Sequence, residues 1–392
     1  MWHRKHKILV LISVIAGMIL AACGGGAAPS TGGAAAPTAA SGGAASGGAA
    51  PAASGDAVEI RYQLWDSNQQ PPYQACADEF HKQNPNITVK IEQLGWDDYW
   101  SGIQTGMIGG TAPDVFTNHL AKYPEFASKG QLVDIQPLVD KDKVDVGQYI
   151  KGLADLWTRD GKRFGLPKDW DTVAIVYNGD MLEKAGVDPA SLKDLTWNAQ
   201  DGGTFGELIG KLTLDSNGKN GLDPAFDKTK VVQYGFVPVG GGGASGQTEW
   251  SWLAVANGFK FTDGPWATKY YYDDPKLAEA IQWYADLNLA KGFAPPLADY
   301  KANGSKAFFL ANKAALTSDG SWTIGDYVKG ASFKLGWAPL PKGPAGRKSM
   351  FNGLADSIWT GSKHQAEAWE WVKFASSKTC EDIVGKSGVV FP

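Results

Sequence analysis

Val58-Glu-Ile-Arg-Tyr-Gln-Leu-Trp65 alternates apolar and polar side chains, which is the pattern of a β-strand with one buried face. Residues 73–80 then carry apolar side chains at helical spacing, and this pattern stops at Asn84-Pro85. Ile87-Thr-Val-Lys-Ile-Glu92 alternates again, with its aliphatic side chains on one face. The stretch therefore predicts a strand, a helix and a second strand, the building unit of an α/β sheet with crossover helices.

The same alternation of strand and helix patterns continues along the chain. Helical patterns cover residues 96–108, 275–291 and 365–376, and strand patterns cover residues 172–177 and 314–317. No repeat of fixed period occurs, which disfavours a solenoid or a propeller. Residues 58–392 are long for a single hydrophobic core, so we expect two lobes.

Residues 1–22 have the pattern of an export signal peptide. Basic residues precede an apolar run at residues 8–20, whose helix would reach roughly 20 Å and is too short to span a bilayer. Leu20-Ala-Ala-Cys23 resembles the lipobox of bacterial lipoproteins, which implies that Cys23 receives a diacylglyceryl group and becomes the mature N-terminus. The alternative is an ordinary secreted protein with an incidental cysteine.

Residues 24–55 consist almost wholly of Gly, Ala, Ser, Pro and Thr. Such a segment has no large apolar side chains to bury, so it cannot offset the entropy lost on ordering. We predict that residues 23–55 form a disordered, lipid-anchored linker that holds a domain roughly 30 Å from its anchor. The protein would then lie on the outer face of the cytoplasmic membrane.

The net charge of the chain limits the class of binding partner. Removal of residues 1–22 deletes three cations and no acid, so the formal charge falls from −4 to −7, which disfavours a nucleic-acid partner.

Two cysteines, Cys76 and Cys380, follow Cys23. In an exported protein they could form a disulfide, and two buried free thiols are the alternative.

Four segments carry a resemblance to a known family. They are Gly110-Thr-Ala-Pro-Asp-Val-Phe116, Gly165-Leu-Pro-Lys-Asp-Trp-Asp-Thr-Val-Ala-Ile-Val-Tyr-Asn178, Lys313-Ala-Ala-Leu-Thr-Ser-Asp-Gly-Ser-Trp322 and Ala366-Glu-Ala-Trp-Glu-Trp-Val-Lys-Phe374. In this order and behind a lipobox, they resemble the family 1 extracellular solute-binding proteins, the maltose-type sugar receptors of bacterial ABC importers. The resemblance extends from Val58 to the end of the chain.

The resemblance implies a two-lobed, type II periplasmic-binding-protein-like α/β fold with a hinge and a ligand cleft between the lobes. By position, lobe I would comprise residues 56–170 and 351–392, and lobe II residues 171–350. Relatives usually continue beyond a segment like residues 388–392 into further helices of lobe II, which are apparently absent here. Either the sequence is a fragment or this lobe is unusually small. The implied partners are a sugar and the permease subunits of an ABC importer, and we expect a monomer.

Tryptophans beside hydrogen-bonding side chains are the main clue to a binding site. Several lie near strand ends or in segments such as Trp65-Asp-Ser-Asn68, Asp169-Trp-Asp171, Gln247-Thr-Glu-Trp250 and Asp319-Gly-Ser-Trp322. A sugar ring has an apolar C–H face and a rim of hydroxyls, so its site needs flat aromatic surfaces beside carboxylates and amides. These segments therefore predict a carbohydrate site.

We predict twelve ligand-binding residues from these segments, from the inferred crossovers between the lobes and from the family's motifs. They are Trp65, Asp66, Asn68, Trp96, Asn118, Trp170, Asp171, Trp250, Trp252, Trp322, Asn352 and Gly353. The prediction depends on Trp170, Trp250 and Trp322 lining one groove where the lobes meet. Core or interface packing is the commoner fate of a tryptophan, and we assign it to Trp100, Trp266, Trp369 and Trp371.

Charged residues limit the ligand class. No cluster of arginines accompanies the predicted site, so a carboxylate or phosphate ligand is unsupported and a neutral, polyhydroxylated ligand fits better. Acidic residues such as Asp66, Asp171 and Asp319 would also suit a cation, which leaves a polyamine, a peptide or an amino sugar as alternatives. The five histidines lack metal-binding spacing, and we predict no metal and no cofactor.

An exported glycosidase is the rival from another class, with Asp169 and Asp171 as its paired carboxylates. Paired acids are too common in a chain with 41 acidic residues to support that interpretation. The sequence shows no nucleophile elbow, catalytic triad or metal motif. We therefore predict a binding protein and not an enzyme.

Overall fold

The structure is a computed structural model that describes residues 56–240, 243–264 and 266–390. The predicted signal peptide, the lipidation of Cys23 and the linker at residues 23–55 lie outside the described residues and stay predictions. Across the described ranges, no helix is both long and apolar enough to cross a bilayer.

Strands and helices alternate over most of this part of the chain. The strands are β1 Val58–Leu64, β2 Ile87–Gln93, β3 Val115–His119, β4 Thr158–Arg159, β5 Lys162–Arg163, β6 Leu166–Asn178, β7 Leu214–Asp215, β8 Val231–Val237, β9 Ala314–Gly320, β10 Leu335–Ala338, β11 Lys342–Gly343, β12 Gly346–Arg347 and β13 Phe351–Ile358.

The α-helices are α1 Gln70–Gln83, α2 Trp96–Gly109, α3 Tyr123–Ser128, α4 Gln136–Asp142, α5 Gly179–Lys184, α6 Gly203–Leu212, α7 Ser251–Ala256, α8 Pro275–Leu289, α9 Leu297–Tyr300, α10 Gly304–Leu310, α11 Ile324–Gly330, α12 Gln365–Ala375 and α13 Lys378–Ser387. Short 3-10 helices lie at Val146–Gln148, Ala154–Trp157, Pro189–Asp194, Gly243–Ser245 and Ser321–Thr323.

The first predicted unit is confirmed as β1, α1 and β2, with β1 and β2 parallel from the Val58–Ile87 pair to the Leu64–Gln93 pair. The buried side chains of α1 include Tyr73, Cys76, Ala77 and Phe80, so the predicted apolar face packs on the core. The other predicted helices and strands of the sequence are present as α2, α8, α12, β6 and β9.

One sheet joins most of the strands. Its order is β2-β1-β3-β13-β6-β9-β8-β7, with β10 also paired to β6. The long strand β6 pairs with β13 through Leu166–Thr172 and with β9 from Val173 onward, so it runs from one half of the sheet into the other. At about 3.3 Å per residue, its 13 residues extend roughly 40 Å.

Buried side chains fall into clusters that follow two lobes. Two clusters draw their buried residues from 60–166 and 355–390, and the other two draw theirs from 173–340. The two sets of clusters are separated between residues 166 and 173, where β6 passes from one half of the sheet to the other. The predicted lobe boundaries near residues 170 and 350 stay a proposal.

A disulfide joins Cys76 in α1 to Cys380 in α13, with their Cα atoms 5.2 Å apart. Of the two alternatives left open by the sequence, the structure therefore has the disulfide. It fixes α13 to the beginning of the domain across a separation of 304 residues.

Candidate functional site

A cavity of about 480 Å³, which we call the cleft, lies where β6 and β13 run side by side. One wall consists of residues after β1, the first residue of α2 and the last residue of β3. The other consists of residues between β8 and α7, of α10, and of the end of β9 and the segment that follows it. The cleft is therefore lined from both halves of the sheet. Its volume lies within the range of small-molecule sites.

Trp65 and Trp96 form an aromatic surface on the first wall. Trp65 follows the last residue of β1, Trp96 begins α2, and their ring centroids are 5.1 Å apart with perpendicular planes. His119 at the end of β3 lies 5.7 Å from the Trp96 ring. Burial, with a smaller effect from the charge of Lys122, lowers the pKa of His119 to about 4, so the imidazole is neutral at physiological pH.

Asp66 and Asn68 continue this wall in the loop after β1. The Asp66 carboxylate accepts a hydrogen bond from the backbone N–H of Asn68 at 2.9 Å, which holds the loop in a turn. Burial raises the pKa of Asp66 from its ordinary value. The loop therefore presents a carboxylate and an exposed amide side by side.

The floor of the cleft includes Asp171 of β6 and Asn352 of β13, which are directly opposite each other in the sheet. The Asn352 amide donates to the Asp171 carboxylate at 3.0 Å. Burial raises the pKa of Asp171 to about 6, although the bond from Asn352 acts in the opposite direction, and the charge of Asp66 raises the pKa further. The pair offers an acceptor and a donor to a bound hydroxyl.

The second wall is built on the end of β9. A Cβ at Gly320 would lie 2.1 Å from Cη2 of Trp322, so a glycine is needed there for the indole to lie over the strand end. The Tyr327 hydroxyl donates to Asp319 at 2.8 Å, and burial raises the pKa of Asp319. Trp322 thus lies beside a carboxylate, across the cleft from Trp65 and Trp96.

Lys306 is the one lysine or arginine among the described residues that line the cleft, and it pairs with Asp326. Within the described part of the chain, Asp66, Asp171 and Asp319 form no ion pair, although the charge of Lys306 acts on Asp319. The lining therefore combines three indoles with an excess of hydrogen-bond acceptors.

Comparison with known proteins identifies the family. The model of the bacterial extracellular solute-binding proteins matches residues 65–379. The chain belongs to this family. A curated relative, the arabinooligosaccharide-binding protein of Bacillus subtilis, is 24% identical over 337 residues, which cover 82% of this chain and 70% of the relative.

Solved structures give the same fold. M. tuberculosis UspC is 29% identical, with a TM-score of 0.68, and the match covers 86% of this chain and 81% of UspC. A substrate-binding protein of Listeria monocytogenes, solved with cycloalternan, is 24% identical with a TM-score of 0.73 and coverages of 86% and 80%. The predicted two-lobed, type II periplasmic-binding-protein fold is thus confirmed.

Seven of the twelve predicted residues line the cleft of this solute-binding protein. They are Trp65, Asp66, Asn68, Trp96, Asp171, Trp322 and Asn352. Each lies at or just beyond a strand end, at the first turn of a helix or where β6 and β13 pair, which are the places where open-sheet folds bring side chains to a ligand. Their role in binding stays a prediction.

Of Trp170, Trp250 and Trp322, only Trp322 lines the cleft, so the prediction that all three share one groove is wrong, and the carbohydrate interpretation now depends on Trp65, Trp96 and Trp322. Adjacent residues of a strand point to opposite faces, and since Asp171 faces the cleft, Trp170 lies on the other side and stacks on Phe351 at 6.0 Å. The Trp250 ring instead covers Gly246, where a Cβ would lie 2.2 Å from the indole.

Three further predicted residues are buried and do not line the cleft. Trp252 in α7 is 1% exposed and belongs to the core. The Asn118 amide is buried and donates to Ser357 at 3.1 Å. At Gly353 a Cβ would lie 2.6 Å from Cδ1 of Leu153, so this glycine makes room for a core side chain and not for a ligand.

Several lining residues were not among the twelve predicted. Those with polar side chains are Ser67, Gln69, His119, Gln247, Thr248, Lys306, Asp319, Thr323 and Asp326. His119 follows Asn118 at the end of β3, so the position at the strand's carboxyl end was the signal, one residue later than predicted. Lys306 lies in α10, which reaches the cleft only through tertiary packing.

Proposed function

We propose that this protein is the solute receptor of an ABC importer and that it binds a neutral oligosaccharide in the cleft. One observation carries the proposal: Trp65 and Trp96 on one wall and Trp322 on the other surround a set of carboxylates and amides. Indoles suit the C–H faces of sugar rings, while Asp66, Asp171 and Asn352 suit their hydroxyls.

The two walls belong to different halves of the sheet, so a ligand that contacts both stabilises the closed arrangement over an open one. Closure is then a shift in population, and the closed form is the one presented to the permease. Micromolar affinity requires about −8 kcal/mol, which stacked rings and a hydrogen-bonded rim can supply.

The relatives reported above support an oligosaccharide as the cargo. One is named for arabinooligosaccharide binding, and another was solved with cycloalternan. These relatives are binding proteins. Asp171 and Asp169, the paired acids of the glycosidase alternative, line different cavities.

A cationic ligand is the second candidate, favoured by the acidic cleft in which Lys306 is already paired. Titration of the purified chain with linear arabinooligosaccharides, maltotriose and spermidine, followed by tryptophan fluorescence and calorimetry, separates the two. The proposal predicts saturable binding of a neutral oligosaccharide and no hydrolysis products. Binding of spermidine alone, or turnover of the sugar, would refute it.

Trp322→Ala tests the stacking surface. Loss of a central aromatic anchor is expected to weaken oligosaccharide binding roughly 10- to 100-fold. Trp337→Ala is the matched control, since Trp337 is 38% exposed in β10 and lies outside the cleft. Equal effects of the two substitutions would contradict the assignment.

We further propose export and lipid anchoring through Cys23, supported by the lipobox-like segment and the Gly/Ala-rich linker. Mass spectrometry of the membrane-extracted protein is expected to show an acylated N-terminus at Cys23. Cys23→Ser should abolish that modification and leave oligosaccharide binding unchanged. An unmodified cysteine in the mature protein would rule out the anchor.

A further inference from the structure

His119, the last residue of β3, lines the cleft with a side chain that is mostly buried. Its ring lies against the aromatic surface of the first wall, with its centroid 5.7 Å from the Trp96 ring and 6.3 Å from the Trp65 ring. The imidazole is therefore held in place by two indoles and by the end of the strand before any ligand enters.

The hydrogen bond made by Nδ1 determines which ring nitrogen carries the proton. The backbone N–H of Ala121 donates to Nδ1 of His119 at 3.0 Å. A ring nitrogen that accepts a hydrogen bond carries no proton, so the proton of the neutral ring lies on Nε2. Burial, and then the charge of Lys122, lowers the pKa of His119 to about 4, which keeps the ring neutral at physiological pH. His119 therefore presents one fixed donor, Nε2–H.

This donor has no partner within the part of the chain that the structure describes. Nε1 of the neighbouring Trp100 is unpartnered and fully enclosed, whereas Nε2 of His119 is unpartnered and retains accessible surface. The cavity that His119 lines is the cleft. A ligand in the cleft can therefore reach Nε2–H without displacing a protein group.

The other donor groups of the lining are less selective. The ammonium group of Lys306 is paired with Asp326. The amides of Asn68 and Gln247 carry an acceptor beside their donors, so they suit either kind of ligand atom. Among the described lining side chains, and apart from the indoles, His119 is thus the one that donates without being paired and cannot accept.

We propose that Nε2–H of His119 donates to a hydroxyl oxygen of the ligand and makes His119 a specificity-determining residue of the cleft. This role rests on the proposed sugar function, and it specifies an acceptor at one position of the sugar. An ammonium group has only donors and would leave Nε2–H without a partner. Because an unpaired polar group in a buried site is costly, His119 selects an oxygen over the cation that the nearby carboxylates would otherwise favour.

Nitrogen-15 NMR of the histidine rings tests the tautomer in the unaltered protein. His81 is an internal reference, because its Nδ1 lies 2.8 Å from the carbonyl oxygen of Ile87 and therefore carries the proton. We expect His119 to show the opposite tautomer, Nε2–H, and the resonance of that proton to shift when maltotriose or linear arabinotriose binds. A proton on Nδ1 of His119, or no shift on binding, would overturn the proposal.

Analogues of the sugar that binds show which hydroxyl His119 contacts. In each analogue, one hydroxyl is replaced by hydrogen or by fluorine, which can accept a hydrogen bond but cannot donate one. At a hydroxyl bound by Asp66 or Asp171, both replacements should weaken binding equally, because a carboxylate needs a donor. At the hydroxyl bound by His119, the deoxy analogue should bind roughly threefold or more weakly than the fluoro analogue.

His119→Asn removes the donor and keeps the loop. An asparagine side-chain oxygen readily accepts from the backbone N–H two residues on, so the bond from Ala121 is retained while the distal N–H is lost. Affinity for the sugar should fall about 3- to 10-fold, and the difference between the deoxy and fluoro analogues should disappear. His364→Asn, just before α12 and outside the cleft, is the matched control and should change affinity by less than about twofold.

The outcomes separate this role from the sugar function itself. If the unaltered protein binds a sugar but His119→Asn binds it equally well, or if no hydroxyl shows a difference that His119→Asn removes, the role of His119 is refuted and the sugar function stands. If neither maltotriose nor arabinotriose binds the unaltered protein, the sugar function fails and the role of His119 fails with it.

Discussion

Asp171→Asn is expected to stabilise the ligand-free protein at neutral pH. Asp171 is 4% exposed, and its environment raises its pKa from 3.8 to about 6, with burial as the main cause. A shift of about two units corresponds to about 3 kcal/mol of destabilisation when the carboxylate is ionised. An asparagine has no charge to bury, and its carbonyl oxygen can still accept the hydrogen bond from Asn352.

The sign of the pH dependence follows from a folded pKa that is raised above the unfolded one. Above about pH 6 the carboxylate is ionised in both states, so the full penalty acts on the folded protein. As the pH falls through 6, the folded protein takes up the proton and the penalty shrinks; it is gone below the unfolded value of 3.8. The stabilisation by Asp171→Asn should therefore vanish in acid.

Urea unfolding measures this effect at about pH 7.5 and at about pH 3.5, with circular dichroism as the probe. Asp273→Asn is the control, because Asp273 is exposed and its replacement should change stability by less than about 0.5 kcal/mol. No stabilisation by Asp171→Asn at neutral pH, or equal stabilisation at both pH values, would contradict this prediction. Asp171→Asn should also bind oligosaccharide more weakly, because the carboxylate that destabilises the ligand-free protein is the group proposed to bind a sugar hydroxyl.

Three further substitutions test the fold around the cleft. Replacing Cys76 and Cys380 together by serine should cost about 2–5 kcal/mol, seen as a lower thermal midpoint that a reductant no longer changes. Trp266→Ala removes a ring 5.3 Å from Tyr123, across the proposed lobe boundary, and should cost about 1–2 kcal/mol and enlarge the ligand-free particle in X-ray scattering. Trp252→Phe should destabilise the protein by about 1–3 kcal/mol with little change in oligosaccharide affinity. A large loss of affinity would indicate that Trp252 contacts the ligand.

Local periodicity predicted the elements well because the apolar faces of strands and helices repeat over a few residues. β1, α1 and β2 have the predicted faces, and the helical pattern before Asn84-Pro85 is α1. The same locality explains which site residues were found. Trp65 and Asp66 follow a strand directly, so their place at its carboxyl end could be predicted without knowing the rest of the fold.

Predictions failed where the direction of a side chain depends on distant partners. Trp170 and Asp171 are neighbours in sequence, yet pairing with β13 turns one toward the cleft and the other toward Phe351. Asn118 is held by Ser357, 239 residues away. Trp252 lies on the face of α7 that packs on the core.

By itself, the amino-acid sequence determined the α/β class, the family and the kinds of side chain available for recognition. Each of these follows from short-range patterns of polarity and from the order of motifs. Only the tertiary structure decided which indoles share a cleft and that Cys76 bonds Cys380. These outcomes depend on contacts between residues far apart in the chain, and such contacts exist only once the sheet has assembled.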